Sequence, residues 1–122
     1  MTAHNLVFLT ETLLAWNDRT LEKMQEQTET SNVDFFAEIK PFVEQIDIAL
    51  EEWKDAALTW IVQEKPRYIH RLQVEQTYEN LKQNALQCFA SQVKKKRFKE
   101  THQAVAYVLH RILDELQGSK QL

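Results

Sequence analysis

Cys88-Phe89-Ala90-Ser91-Gln92-Val93-Lys94-Lys95-Lys96-Arg97-Phe98-Lys99 is the stretch on which the architecture turns. Before it, Val74, Tyr78, Leu81 and Ala85 recur at helical spacing and lead into Cys88 and Phe89. After it, Phe98, Val105, Leu109, Ile112 and Leu116 do the same. Residues 90–100 hold no Gly, Pro, Asn or Asp, so local turn chemistry does not separate the two runs. Their phases do. At about 100° per residue the first stripe extrapolates to Lys96, Lys99, Gln103 and Tyr107, and the second is rotated from it by roughly 150°. One straight helix over 70–117 would run about 70 Å with apolar stripes on nearly opposite sides. The pattern therefore predicts two helices, 69–94 and 97–117, with a reversal near Lys94–Arg97. The lysines then stay in water, their charge favouring the C-terminal dipole of the earlier helix.

Two helical runs precede this pair. Leu6, Leu9, Leu13, Trp16 and Met24, flanked by Leu14 and Leu21, predict a helix over 4–28, with Thr2 or Asn5 as its cap. The polar stretch Glu29 to Val33 favours a turn. Asp34 then caps a short helical segment, Phe35 to Ile39, which ends at Lys40-Pro41. Pro41 suits the first residue of a longer helix, where its missing N–H costs nothing. Val43, Ile46, Leu50, Trp53, Ala57 and Ile61 form that helix's apolar face, and Ile39 shares it. The whole reads as a helix over 34–64, bent near residue 40 and stopped before Pro66. Gly118 is placed to end the last helix. Four amphipathic helices with short links predict an all-α fold, an up-down-up-down antiparallel four-helix bundle forming one domain over 1–122.

Composition narrows the function classes. A chain of 122 residues with one glycine and two prolines has little means of building hairpins, glycine-dependent phosphate loops or a dinucleotide fold. Its formal charge is −3, but unevenly spread. Residues 1–93 carry 8 basic and 15 acidic groups, and residues 94–122 carry 7 basic and 3 acidic. Such a chain has no global attraction to nucleic acid, and one local basic run. Cys88 is the only cysteine, which excludes an intrachain disulfide and fits a reducing cytosol. Leu6-Val7-Phe8-Leu9 is too short for a signal peptide and lacks a basic flank. No stretch reaches the roughly 18 apolar residues a membrane helix needs. A cytoplasmic location with no membrane association is the expectation.

Asp34-Phe35-Phe36, Ile39-Lys40-Pro41, Val43-Glu44, Asp47, Trp53, Ala57-Leu58, Pro66, Tyr68, His70, Lys95, Lys96-Arg97-Phe98 and Tyr107-Val108-Leu109-His110 follow one further pattern. The stretch 34–116 resembles the YppE-like family, small proteins of Bacillus and related bacteria with no assigned function. The resemblance implies a compact helical bundle. It implies no activity, cofactor or catalytic residue.

The chemistry-bearing residues are sparse. Helical bundles hold metals with Glu-x-x-His pairs or related spacings, and none is present. His4, His70, His102 and His110 are scattered, so neither a metal nor a cofactor is expected. Pro66-Arg67-Tyr68-Ile69-His70 has two readings: a general base or ligand at His70 beside Tyr68, or a structural corner. The corner, with Tyr68 against the second helix and His70 capping the third, is the stronger. Asp34, Phe35, Phe36, Lys40 and Phe42 form a second corner, which either lines a groove for a partner or closes the end of the bundle. Asp47 and Glu51 share a helical face off the apolar stripe, which favours solvation over acid–base work. Cys88 lies on a core face and is expected to be inert.

Lys95, Lys96 and Arg97 suit a solvated turn, an acidic protein or, less well, phosphate. No catalytic residue is assigned. The candidate interaction surface is Asp34, Phe36, Lys40, Tyr68, His70, Lys95, Lys96 and Arg97. The leading expectation is a bundle that works by binding another protein, as a monomer or weak homodimer. The alternatives are a nucleic-acid accessory using the Lys94–Lys99 turn and a small enzyme or metal protein centred on His70.

Overall fold

Apolar residues spaced for helices form helices here. α1 is Thr2–Glu26, α2 is Lys40–Glu64, α3 is Arg71–Gln87 and α4 is Lys95–Gln121. A computed structural model describes residues 2–28 and 32–121, with side chains over 5–28 and 32–118. Among the described residues there is no strand. α1 packs on α2 and α4, and α3 packs on the same two, which closes a ring of four. Trp53 of α2 lies level with Thr10 of α1, and Phe42 with Trp16. Going forward along α1 therefore means going backward along α2. Likewise Glu51 meets Tyr78, while the short link 65–70 carries the chain from α2 to α3. The result is an all-α, up-down-up-down antiparallel bundle.

The core takes Leu6, Leu9, Leu13 and Met24 from α1 and Ile46, Leu50, Trp53 and Ala57 from α2. α3 adds Val74, Leu81 and Ala85, and α4 adds Phe98, Val105, Leu109 and Ile112. Each large side chain removed from water in this seam contributes about 1.5–3 kcal/mol before entropy is counted. Polar residues share the seam. The buried Trp53 indole donates to Thr10 Oγ1 at 3.1 Å. Asn17 Nδ2 donates to the His102 carbonyl at 3.0 Å, and Asn84 Nδ2 to the Phe98 carbonyl at 3.3 Å. Those two amides, from α1 and α3, grip the first two turns of α4.

The segment before α2 is one π-helical turn, Phe35–Ile39, running directly into α2. Asp34 caps it, its Oδ1 accepting from the Ala37 N–H at 2.9 Å. Pro41 accounts for the wide turn. Its ring crowds the carbonyl four residues back and it has no N–H to give, so the preceding backbone opens from α to π. α2 ends at Lys65, which adopts a left-handed conformation (φ 47°) just before Pro66.

Several helix ends differ from the sequence expectation. α1 begins at Thr2 and stops at Glu26, so Asn5 lies inside it; the Thr2 and His4 side chains, and much of the polar break at 29–31, lie outside the described residues. α4 runs through Gly118 instead of ending there, because open space around that residue and an ordinary backbone angle let the helix continue. α3 stops at Gln87, not near residue 94. Cys88 and Phe89 still pack in the core after the helix has ended, so their spacing mimics one more turn.

That last difference reverses an electrostatic expectation. Lys95, Lys96 and Arg97 are the first three residues of α4, not the tail of α3. The N-terminal dipole opposes them, no acidic residue lies in that turn, and Lys94, whose carbonyl accepts from Phe98 N–H, has no side-chain acceptor with which to cap it. Replacing Lys95 and Lys96 together by glutamate should therefore stabilise the fold by about 0.3–1 kcal/mol per residue in urea unfolding. A loss of stability would mean these cations rest on a favourable local field instead.

Candidate functional site

The antiparallel topology sorts the candidate residues by end. The α1–α2 link and the α3–α4 link lie at one end, so Asp34, Phe36, Lys40, Lys95, Lys96 and Arg97 share it. Tyr68 and His70 sit in the α2–α3 link at the opposite end. The eight residues therefore do not form one surface.

At the opposite end the geometry is that of a closed corner. The Tyr68 N–H donates to Glu115 Oε1 at 3.1 Å, and the Arg111 guanidinium lies 5.1 Å from the Tyr68 ring centroid. The link is pinned to α4 through Tyr68. His70 is the N-cap residue of α3, and Gln73 Oε1 accepts its N–H at 2.7 Å, which spares a backbone donor at the helix start. The ring of Tyr68 stays 54% exposed, held beside Arg111 by cation–π attraction. No group of three His, Cys, Asp or Glu side chains able to hold a metal ion occurs among the described residues.

The other end is open. Phe35 and Phe36 pack edge-to-face on each other, centroids 5.2 Å apart, and remain 53% and 76% exposed. Phe42, two residues into the same corner as Lys40, is buried. It stands edge-on to Trp16 at 5.6 Å and to Phe89 at 5.2 Å. Those three rings floor a cleft of about 250 Å³, walled by Arg19 and Lys23 of α1 and by Gln45 of α2. Glu38 and Pro41, from the turn that carries the exposed phenylalanines, complete it. Arg19 and Lys23 make only long ion pairs, 3.6 Å to Glu22 and 3.8 Å to Glu26. Lys40 pairs with Glu44 at 3.3 Å. The Lys94, Lys95, Lys96, Arg97 and Lys99 side chains are exposed and make no ion pair among the described residues.

One polar cluster lies on the flank between α2 and α3. The Tyr78 hydroxyl donates to Glu51 Oε2, and Lys82 Nζ donates to the same hydroxyl at 3.1 Å. Lys54 lies 4.4 Å from the ring centroid. The Glu51 hydrogen bond raises the phenol pKa above 10, with Lys82 opposing it, and the hydrogen bond to Tyr78 raises Lys82 in turn. A phenol held neutral in this way is a structural clasp at pH 7, not a nucleophile. Glu51 is exposed, as its place off the apolar stripe implies, and it also ties α2 to α3. Cys88 is fully buried, burial pushes its thiol up to about 12, and its Sγ–H donates to the Ala85 carbonyl at 3.2 Å.

Neither the cleft nor the clasp was among the expected sites. Trp16, Arg19 and Lys23 sit three and then four residues apart on one face of α1, but nothing in that spacing says a neighbouring helix leaves them uncovered. The Glu51–Tyr78 pair is 27 residues apart in sequence and needs the antiparallel register to be found.

The family described as a bacterial domain of unknown function, DUF1798, matches residues 10–116. This chain belongs to that family. It is 32% identical to the uncharacterised protein YppE of Bacillus subtilis over 117 residues, 95% of each chain. The crystal structure of YppE superposes with a TM-score of 0.91 at 31% identity over the full length of both chains. A crystal structure of a protein of unknown function from Listeria innocua gives 0.92 at 27% identity, covering 99% of this chain and 98% of that one. The DUF1798 bundle is thus shared across the family members, as the resemblance to the YppE-like proteins implied. No helix among the described residues is long and apolar enough to cross a membrane.

Alkaline titration checks the clasp. Tyr78 keeps its proton above the ordinary value in the folded state, so the stability it confers is full below about pH 10 and is lost as pH rises through the raised value. Tyrosinate absorbance of the folded protein should show a late phase that disappears in Tyr78→Phe. The same variant should flatten the alkaline fall in stability. A thiol reagent offers a second check: Cys88 should react only as fast as the protein unfolds.

Proposed function

We propose that this chain is a small cytoplasmic module that works by binding another protein through the end of the bundle carrying Asp34, Phe36, Lys40, Lys95, Lys96 and Arg97. One observation carries the reading: two adjacent phenylalanines, 53% and 76% exposed, pack on each other instead of on the core. Isolated exposed apolar residues are ordinary, but a paired aromatic patch beside an open cleft is what an interface presents. Aromatic side chains supply large contact area at low entropic cost, and interface cores are enriched in them. The uncompensated cations of the first α4 turn add a field that attracts acidic surfaces and speeds encounter. A lone thiol fits a reducing compartment. Tyr68 and His70, at the closed end, take no part.

The same free cations favour a second reading, contact with nucleic-acid phosphates. Retardation of DNA or RNA at low salt that falls steeply with salt and needs Lys95, Lys96 and Arg97 would support it over the first.

A photo-crosslinking amino acid in place of Phe36 tests the protein-binding reading. In native extract it should give one dominant adduct, lost in the Phe35→Ser background. The same reagent at Tyr68 should give none. Adducts of equal yield at both ends, or no dependence on Phe35, would sink the reading.

A further inference from the structure

We infer that the cleft between α1 and α2 is an anchor pocket for one aromatic or large aliphatic side chain of a partner polypeptide, with acidic residues flanking that side chain. The inference rests on the protein-binding reading above and specifies what is bound.

Size limits the occupant first. At about 250 Å³ the cleft is smaller than the ~300–1,000 Å³ typical of cofactor and small-molecule sites. It accommodates one large side chain, not a nucleotide or flavin. The floor then selects its chemistry. Trp16, Phe42 and Phe89 meet edge-to-face, so the cleft sets packed aromatic carbon beside the polar side chains of Arg19, Lys23, Glu38 and Gln45. A side chain entering it displaces water from aromatic carbon without ordering the floor, the condition under which one anchor residue dominates an interface.

The walls set the flanking charge. Arg19 and Lys23 stand on the α1 side, each in a long ion pair that leaves donors free. The first turn of α4 lies at the same end of the bundle and adds Lys95, Lys96 and Arg97, all exposed and without an ion pair among the described residues. Glu38, the one acidic residue lining the cleft, comes from the turn before α2, whereas Arg19 and Lys23 come from α1. Acidic residues flanking the anchor would therefore run toward α1 and α4. Phe35 and Phe36, on the same turn as Glu38, extend the apolar contact beyond the pocket.

Three acetylated, amidated pentapeptides test this on isotopically labelled full-length protein by NMR. The first has a central phenylalanine between paired glutamates, the second replaces that phenylalanine by alanine, and the third replaces the glutamates by lysines. The acidic phenylalanine peptide should shift the Trp16 indole N–H and the Phe42 and Phe89 amides saturably. The alanine peptide should bind at least about tenfold more weakly. The lysine peptide should also be weaker, and Arg19→Glu with Lys23→Glu, both at the surface, should reverse the charge preference. Gln45→Trp, which fills the mouth, should abolish the shifts.

Absence of saturable shifts up to millimolar peptide overturns the inference. So does equal binding of the alanine peptide, which would leave only diffuse charge attraction. Shifts that depend on protein concentration without peptide would make a second copy of the chain the occupant, and would overturn it too. If crosslinking at Phe36 captures a partner while the cleft resonances stay still, protein binding stands and the anchor pocket falls. If neither responds, both fall.

Discussion

Two buried amides decide where α4 begins. Asn17 reaches across from α1 and Asn84 from α3, and each donates to a carbonyl in the first two turns of α4. A buried amide left unpaired costs about 1–3 kcal/mol, so sliding α4 along its neighbours would give up both bonds at once. Apolar contacts alone tolerate such slides, because one leucine replaces another. The amides make the register specific, and with it the length left for the α3–α4 link. That length puts the three cations Lys95, Lys96 and Arg97 on the wrong end of a helix dipole.

The same constraint shapes the open end. α3 is the shortest helix, and its chain stays in the core for Cys88 and Phe89 after the helix stops. Phe89 thereby meets Phe42, and Phe42 meets Trp16. The line of rings crosses from the end of α3 through α2 to α1. It is buried at Phe42 and partly uncovered at Trp16. Pro41 disfavours a regular α-turn before it, and the π turn it follows supplies Glu38 to the lining of the cleft, while the early stop of α3 supplies Phe89.

The apolar stripes of all four helices were readable, because a 3.6-residue period is a direct image of one buried face. So was the need for a reversal after α3, since the stripes of α3 and α4 are out of phase. Its place was not, because Cys88 and Phe89 continue a helical spacing that the backbone has abandoned. The buried polar residues left a trace that was readable in hindsight. Asn17 and Thr20 fill the gap between Leu13 and Met24 in the α1 stripe, and Thr77 and Asn84 fall in the α3 stripe. Which carbonyls they bond depends on the register between helices, which no local spacing encodes. The candidate surface was legible residue by residue and not as a surface. Tyr68 and His70 were grouped with residues at the far end because chain order does not say which links share an end until the helices are known to alternate.

The two ends of the bundle treat their polar groups differently, and that contrast is the strongest guide to where function lies. At the α2–α3 end, the Tyr68 N–H has a carboxylate, the Tyr68 ring has a guanidinium, and the His70 N–H has a side-chain amide. At the other end, two exposed phenylalanines pack on each other, and a run of cations stands without counter-ions among the described residues against an opposing dipole. The core needs neither feature, and each lowers stability relative to a simple alternative, a polar residue for Phe36 or a glutamate for Lys95. Local conflict that folding does not require is what a binding surface leaves in a free protein. One end of the bundle is thus tied to α4 through Tyr68, and the other leaves Phe35, Phe36 and the first turn of α4 exposed.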